Sequence, residues 1–353
     1  MNHAGLLKAE KRKGHNMIFD LIESGHWLPY VFVFLMGLSM LIYAVLDGYD
    51  LGVGILMPFG KAAEKDKMIA SIGPFWDANE TWLVLGVGIL LTAFPMAHGM
   101  ILTNLYLPAF VMLLGLIFRG VAFDFRAKVK TEKKARWDWT FFGGSFITAL
   151  AQGYMLGSYI LGFRTDLSAI LFSLFTGVCV AAGYCLIGSS WLIMKTEGDL
   201  QKKSVKWARL AVWAACLGIV FISLLAPMVS PRIFEKWFAW PEIFMLAPIP
   251  FMTGALVFGL WFVLRKLPTP NDNFSWLPFL LTIGLFILSF YGLAYSFYPY
   301  IVPDRLLVTE AAAAPESLLI ILVGALIVLP VLIGYTAISY YIFRGKASDL
   351  RYD

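Results

Sequence analysis

The sequence predicts an all-α integral membrane protein with nine transmembrane helices. Hydrophobic residues make up 59% of the 353 residues and charged residues only 14%, which departs strongly from the balance of soluble domains. Stretches of about 18 or more uncharged residues recur along the chain, and each is long enough to cross a hydrocarbon core of about 30 Å. Because lipid does not tolerate unpaired backbone groups, segments of this length are expected to be helices.

The nine expected spans follow one another with charged or proline-containing segments between them. Pro95 and the His98-Gly99 pair are expected to divide the long apolar run between Thr81 and Phe118 into spans two and three. The spans are 28–57, 80–97, 100–123, 140–162, 167–194, 207–228, 243–264, 277–298 and 317–343. The segments that separate the later spans are 124–139, 163–166, 195–206, 229–242, 265–276 and 299–316.

The distribution of Lys and Arg predicts the orientation. The loops after spans one, three, five and seven and the C-terminal tail, with the flanking span ends, hold 20 of these 28 residues. The positive-inside rule therefore places the N-terminus outside and the C-terminus inside. The expected divisions are an N-terminal tail (1–27), a transmembrane domain (28–343) and a cytoplasmic tail (344–353). Residues 1–16 are interpreted as an upstream-start extension, because Met17 follows all four basic residues of the N-terminal tail.

The histidines and cysteines do not predict a metal or haem site. Cys179, Cys185 and Cys216 lie within spans five and six and are interpreted as small buried hydrophobes. His26 and His98 fall at the outer ends of spans one and two, so they do not supply two buried axial ligands. We therefore expect no metal site and no haem bound by this chain's own ligands. We also expect no nucleic-acid partner, because the basic residues lie in loops between spans.

Four carboxylates lie where span one ends and span two begins. Asp47 and Asp50 close span one, and Asp77 and Glu80 open span two. The i,i+3 spacing places the members of each pair on one helix face. Carboxylates that lie inward at the edge of the hydrocarbon are costly, and they usually mark a functional path. The pattern therefore predicts an acidic mouth where protons or cations enter the protein.

Structural interpretations of the same residues compete with this one. The segment 77–80 (DANE) has the form of a capping box with Asp in place of Ser or Thr. Asp47 and Asp50 could be solvated at the end of span one. Arg119, at the inner end of span three, could pair with one of these carboxylates. That pairing is consistent both with a proton relay and with a static ion-pair network.

Other residues near these carboxylates predict packing or solvation. Asp124 and Arg126, like Asp47, are interpreted as solvated interfacial residues. Small residues let helix backbones approach one another. Close helix contacts are therefore expected at two pairs, Gly48 with Gly52 and Gly143 with Gly144.

Three segments resemble the signature segments of subunit II of the cytochrome bd-type quinol oxidases. They are LDGYDLGVGIL (46–56), GPFWDANETWLVLGVGILLTAFP (73–95) and LIFRGVAFDFR (116–126). The spacing between them and the nine-span layout are also similar to that family. The DANETW form is similar to the cyanide-insensitive branch, whose partner has a short quinol loop.

The resemblance implies a subunit of a terminal oxidase in the bacterial cytoplasmic (inner) membrane. The family reduces O₂ to water with electrons from quinol, and subunit I carries haem b, haem d and the quinol site. Subunit II is then a haem-free partner of subunit I, folded as two four-helix bundles plus one peripheral helix. Other partners implied are ubiquinol or menaquinol through the complex, membrane lipid and small accessory subunits. No residue of this chain is expected to be directly catalytic.

The resemblance also implies roles for individual residues. Asp77 matches an aspartate on a cytoplasmic proton path toward the haems, Glu80 would tune or succeed it, and Trp76 would pack at the entrance. Quinol oxidation releases protons outside in this family, while the protons for O₂ reduction come from the cytoplasm. The buried polar groups that would support a structural quinone or lipid are Asp47, Asp50 and Arg119.

Two other functions compete with the oxidase interpretation. A secondary transporter would move a cation through its own acidic mouth, and internal repeats would favour it. No second copy of DGYD or WDANE occurs in the later spans. A purely structural subunit would use the carboxylates only to cap and pair helices.

Overall fold

The computed structural model describes residues 26–347, apart from the side chains of Glu242 and Met245. The tail predicted at 1–27 lies outside this range except for its last two residues, and its extension 1–16 lies wholly outside. The tail predicted at 344–353 is described only as far as Ala347.

The described chain is almost entirely helical. Its elements in order are α1 (Leu28–Leu56), a 3-10 turn (Met57–Phe59), α2 (Ala62–Ile72), α3 (Trp76–Ala93), α4 (Pro95–Lys128), α5 (Thr131–Ile160), α6 (Leu167–Lys195), α7 (Gly198–Val229), α8 (Pro231–Phe238), α9 (Glu242–Leu246), α10 (Pro248–Lys266), α11 (Leu277–Phe297), β1 (Tyr300–Val302), β2 (Leu306–Leu307), α12 (Val308–Ala311) and α13 (Pro315–Ile342). The two short strands pair antiparallel. The predicted all-α class is confirmed.

Seven helices of the described range are long and apolar enough to cross a membrane. They are α1 with its 3-10 extension, α4, α6, α7, α10, α11 and α13. Helices α3 and α5 also reach 18 and 30 residues, but they are not among these seven. The chain is therefore a multi-pass membrane protein.

Several predicted boundaries were wrong at the water-facing ends of helices. Helix α4 begins at Pro95, where the missing N–H of proline removes no helix bond. His98 and Gly99, which were expected to contribute to the break, lie inside α4. Helices α5 and α7 begin at Thr131 and Gly198, within charged segments that were assigned to loops. Lys, Arg and Glu are good helix formers, so a helix can continue into water beyond its apolar part.

Helices α1 and α6 are the centre of the packing. Helix α1 contacts α3, α5 and α6, while α4 packs mainly on α5. Helix α6 also contacts α7 and α11, and α10 packs against α7 and α11. Helix α13 has only a small contact with α1 and α3. Only 6% of an 18-residue apolar stretch of this helix is buried.

Glycines bring the backbones of α1 and α6 into direct contact. A Cβ atom at Gly52 would lie 1.8 Å from the Tyr184 carbonyl oxygen, and one at Gly188 would lie 2.6 Å from the Gly52 carbonyl carbon. Gly48 similarly lies against the Tyr184 ring. The close contact predicted at Gly48 and Gly52 is therefore confirmed, whereas a Cβ at Gly143 would meet nothing within 4 Å.

We expect Gly52→Ala to separate α1 from α6 and to lower the stability of the purified protein by about 3 kcal/mol or more, since overpacked backbone contacts relax poorly. Detergent-titration unfolding measures this change. The matched control is Gly143→Ala, which should leave stability unchanged or raise it by up to about 1 kcal/mol. Equal behaviour of the two variants would contradict the direct backbone contact.

Ion pairs connect α2, α4 and α5 at the end of the molecule where α1 terminates. Arg126 Nε lies 2.6 Å from Asp138 Oδ1, and its Nη1 lies 2.8 Å from Asp66 Oδ1. Lys65 Nζ reaches the other Asp138 oxygen at 3.2 Å. The prediction that Arg126 is solvated was wrong, because its paired side chain is buried between helices. Asp124 is exposed, as expected.

Glu64 lies in the first turn of α2 and connects this helix to α7. Its Oε2 accepts the Lys61 backbone N–H at 2.6 Å and the Lys203 ammonium at 2.7 Å. Burial alone would raise the pKa of the Glu64 carboxyl, but the Lys203 and Lys61 hydrogen bonds outweigh it and lower the pKa. The Asp66 pKa is lowered in the same way, since hydrogen bonds from Arg126 and Lys134 outweigh its burial. Both carboxylates are therefore more stable as anions in the folded protein.

We expect Glu64→Gln to lower stability near neutral pH by about 1–2 kcal/mol, because a charge-assisted hydrogen bond becomes a neutral one. A lowered folded-state pKa gives stability that is complete above the unfolded-state value and is lost as the pH falls through the folded-state value. The difference between wild type and variant should therefore shrink below about pH 4. Thermal unfolding followed across this pH range tests it, with Lys67→Gln, an exposed residue of α2, as control.

Candidate functional site

A fully buried arginine lies among three carboxylates at the inner part of α1, α3 and α4. Arg119 Nη1 is 2.5 Å from Asp47 Oδ1. Its Nη2 is 3.4 Å from Glu80 Oε1 and 4.0 Å from Asp50 Oδ2. Arg119, Asp47 and Asp50 have no exposed surface, while the Glu80 side chain is 30% exposed. We call these four residues the Arg119 cluster.

Helix packing brings these side chains together. The i,i+3 spacing places Asp47 and Asp50 on one face of α1. Gly52 of the same helix lets the α6 backbone approach α1 closely. A Cβ at Gly144 of α5 would lie 2.8 Å from the Arg119 backbone nitrogen, and one at Gly115 of α4 would lie 2.9 Å from the Gly144 carbonyl oxygen. The α5 backbone therefore covers one side of α4.

The charges of the Arg119 cluster do not balance when every carboxyl group is ionised. One guanidinium faces three carboxylates, and buried charges are costly unless they are paired and hydrogen-bonded. Asp47 Oδ2, Asp50 Oδ1 and the Nε and Nη2 of Arg119 are buried without a hydrogen-bond partner among the described residues. A proton held by one carboxyl would reduce the excess negative charge.

Asn79 connects the Arg119 cluster to α13. Its side-chain NH₂ donates to Asp50 Oδ2 and to the Tyr49 hydroxyl, each at 2.8 Å. The Tyr340 hydroxyl lies 2.6 Å from that of Tyr49 and donates to Asn79 Oδ1 at 3.2 Å. Partly buried hydrogen bonds of Tyr340 thus join the C-terminal end of α13 to α1 and α3.

Sequence reasoning missed this role of Asn79 because it considered only Asp77 and Glu80 of segment 77–80, either as part of a proton path or as a capping box. The capping-box interpretation was wrong: Phe75 is the N-cap residue of α3, and its side chain makes no capping hydrogen bond. The available signal was an Asn directly before an expected membrane span, because an amide that enters the protein interior there needs hydrogen-bond partners.

A second set of polar contacts includes the buried Tyr43, which lies one turn before Asp47 on α1. Gln152 of α5 donates from Nε2 to the Tyr43 hydroxyl at 2.6 Å. The Tyr184 hydroxyl of α6 donates to Gln152 Oε1, also at 2.6 Å. These hydrogen bonds join α1, α5 and α6, and no spacing in the sequence indicated them.

Trp76 lies beside the Arg119 cluster, and Asp77 is the next residue of α3. Asp77 is exposed in the first turn of α3, and its carboxylate makes no ion pair or hydrogen bond with the described residues. The Trp76 ring packs on Phe123, with centroids 4.9 Å apart, and lies 5.9 Å from Arg119 Cζ. Asp77 is thus exposed, Glu80 half-buried and Arg119 fully buried.

Three of the predicted site residues, Arg119, Asp47 and Asp50, lie together in the structure. Arg119 pairs most closely with Asp47. The full burial of Asp47 contradicts its interpretation as a solvated residue and agrees with the buried polar group that the family resemblance implied. Asp50 is farther from Arg119 and is bound by Asn79 instead. Within the described range, no group of three or more His, Cys, Asp and Glu side chains could hold a metal ion. His26 is exposed and His98 is half-buried.

These features define a class: a multi-pass helical membrane protein with a buried, incompletely neutralised charge cluster near one membrane surface. Residues 28–343 match the family model described as cytochrome bd terminal oxidase subunit II. The match covers most of the chain, and the chain belongs to this family.

Curated relatives agree with the family assignment. The chain is 31% identical over 340 residues to "cytochrome bd ubiquinol oxidase subunit 2" of Bacillus subtilis (strain 168), covering 91% of this chain and 96% of the relative. It is 26% identical over 364 residues to "cytochrome bd-I ubiquinol oxidase subunit 2" of Escherichia coli (strain K12), covering 90% and 95% respectively.

The solved structures support the same fold. A chain of the bd oxidase from Geobacillus thermodenitrificans superposes with a TM-score of 0.74 at 15% sequence identity, covering 90% of this chain and 99% of that chain. The protein is thus a subunit of a cytochrome bd quinol oxidase, an oxidoreductase. Membership implies a subunit I partner and haems in the complex.

We expect Arg119→Gln to lower the stability of the purified complex by about 3–5 kcal/mol, because it leaves buried carboxylates without their cation. The double variant Asp47→Asn with Arg119→Gln should recover part of that loss, since it removes the closest unpaired charge. Detergent-titration unfolding of wild type, both single variants and the double variant gives the coupling energy. Strictly additive effects would contradict an energetically coupled pair.

Proposed function

We propose that this chain carries protons from the cytoplasm toward the O₂-reducing haems of subunit I. The observation that supports this most directly is the graded burial along one path. Asp77 is exposed, Glu80 is 30% exposed, and Arg119 with Asp47 and Asp50 is fully buried. Ionisable groups within membrane segments are usually functional.

Each residue then has a defined part in proton movement. Asp77 takes a proton from water at the start of α3 and passes it to Glu80, one turn deeper. Arg119 stabilises the deprotonated form of Glu80 by its positive charge. Trp76 packs at the entrance beside Phe123 and limits how much water reaches the guanidinium. Asp47 and Asp50 keep Arg119 in place, with Asn79 bound to Asp50.

The remaining expectations concern the complex and its place in the cell. Haem b, haem d and the quinol site lie on subunit I, whose haems supply the O₂-reducing chemistry, and this chain is haem-free. All nine long helices of the described range cross the bacterial inner membrane, as two four-helix bundles with α13 peripheral. The N-terminus lies outside and the C-terminus inside, so O₂-reducing protons enter from the cytoplasm and quinol protons leave on the other side. Charge separation then needs no pump.

The relatives' names support one choice of substrate. The Bacillus subtilis and Escherichia coli proteins are both named ubiquinol oxidase subunits, and we propose a quinol of that class for the complex that holds this chain. Small accessory subunits, a structural quinone or lipid near Asp50 and Arg119, and the cyanide-insensitive branch stay predictions.

A scaffold function is the second candidate, and the short Arg119–Asp47 contact of 2.5 Å favours it. In that case the Arg119 cluster only joins α1, α3 and α4, and no proton passes through it. The family membership favours either role over the secondary transporter.

Asp77→Asn separates the proton path from the scaffold. We expect quinol-driven O₂ consumption by the purified complex to fall roughly tenfold or more, because Asn cannot transfer the proton. The amount of assembled complex and its stability should not change, since the Asp77 side chain makes no hydrogen bond or ion pair with the described residues. Asp77→Glu should restore most of the turnover.

The control is Asp124→Asn, which removes an exposed carboxylate of α4 near the same membrane surface. Its turnover should match that of wild type. Normal turnover in Asp77→Asn would overturn the proton path and leave the scaffold function.

A further inference from the structure

A second group of charges lies away from the Arg119 cluster, where α7 begins and α10 ends. All its members are exposed cations. They are Lys202, Lys206, Arg209, Arg265 and Lys266. We call them the α7–α10 basic patch.

A fixed contact holds the two halves of this patch together. Arg209 of α7 donates from Nε and Nη2 to the Leu264 carbonyl oxygen of α10, at 3.0 and 2.6 Å. Its Nη2 also lies 3.4 Å from the Arg265 carbonyl oxygen. The last turn of α10 is thus adjacent to Arg209, and Lys206 lies one turn before Arg209 on the same face of α7. The cations are therefore neighbours in space.

The positive charge of this patch is largely uncompensated. Lys202 lies 3.8 Å from Asp199, and both side chains are mostly exposed. Among the described residues, none of the other four cations has a carboxylate within ion-pair distance. Arg265 lies over the Trp261 ring at 3.8 Å, and Lys266 lies over the Phe262 ring at 4.2 Å.

Cations of the α2–α4–α5 region behave differently. Arg126 pairs with Asp138 at 2.6 Å. Lys134 pairs with Asp66 at 3.1 Å. Fixed acidic partners thus neutralise cations in the α2–α4–α5 region, whereas the α7–α10 basic patch keeps its charge for another partner.

An exposed apolar surface continues from the patch along the same two helices. Trp213 and Leu217 of α7 are 52% and 56% exposed, and they follow Arg209 at steps of four residues. Phe262 and Phe258 of α10 are 48% and 65% exposed. A molecule that fits both parts has an anionic head and a long apolar body.

We infer that the α7–α10 basic patch binds the phosphate headgroup of an anionic phospholipid, whose acyl chains lie along α7 and α10. Basic clusters between transmembrane helices at one membrane surface are suited to such headgroups. Arg265 and Lys266 extend from apolar helix into the headgroup region, as long basic side chains do at a membrane surface. A soluble anion would use the charges but leave the adjoining apolar surface uncovered.

Lipid titration of the purified complex tests the inference. The delipidated complex is mixed with phosphatidylglycerol in graded proportion to phosphatidylcholine, and native mass spectrometry counts the lipids that stay bound. Each cation that contacts a bound anionic headgroup at a membrane surface contributes about a fivefold preference for anionic lipid. The double variant Lys206→Gln with Lys266→Gln should therefore bind phosphatidylglycerol about 25-fold more weakly, with phosphatidylcholine retention unchanged.

The matched control removes two exposed cations elsewhere, Lys128→Gln with Lys133→Gln, and should bind phosphatidylglycerol as wild type does. Gel filtration verifies that both double variants stay assembled, which the exposure of all four side chains leads us to expect. Equal weakening in both variants, or no weakening in the patch variant, would overturn the site. Displacement of the lipid by millimolar inorganic phosphate would instead show a site for a soluble anion.

Discussion

The burial of Arg119 among three carboxylates is the constraint on which the inner part of this structure depends. A lone guanidinium inside a helix bundle would be prohibitively costly, and its partners come from two other helices. Asp47 supplies the closest contact from α1, at 2.5 Å, and Glu80 supplies one from α3. The relative positions of α1, α3 and α4 are therefore tied to one set of charges.

Glycine contacts make that arrangement geometrically achievable. Gly52 and Gly188 bring α1 against α6, while Gly115 and Gly144 bring α4 against α5. Each contact leaves no room for lipid or water between the two helix backbones that it joins. The charges then meet in a region of low polarity, where each interaction is stronger than it would be in water. The glycine contacts therefore determine the surroundings of Arg119, and with them the strength of its interaction with Asp47.

Burial of charge is uneven at this end of the molecule, and the unevenness is chemically informative. The α2–α4–α5 region neutralises its cations with fixed carboxylates such as Asp138 and Asp66. The Arg119 cluster has more carboxylates than cations, and the α7–α10 basic patch has more cations than carboxylates. The first kind of site holds helices together, while the other two are each suited to a mobile partner, a proton in one case and an anionic lipid in the other.

The sequence by itself determined the class and the family and located the long apolar segments, because apolar length and local motifs are encoded in contiguous residues. It also singled out Asp50, Asp77 and Arg119 as candidate site residues. Tertiary structure decided which of them meet: that Asp47 is buried against Arg119, that Asp77 is exposed, and that Asn79 joins α1 to α13. Those outcomes depend on packing between helices distant in the chain, and helical periodicity does not fix which faces of two such helices come together.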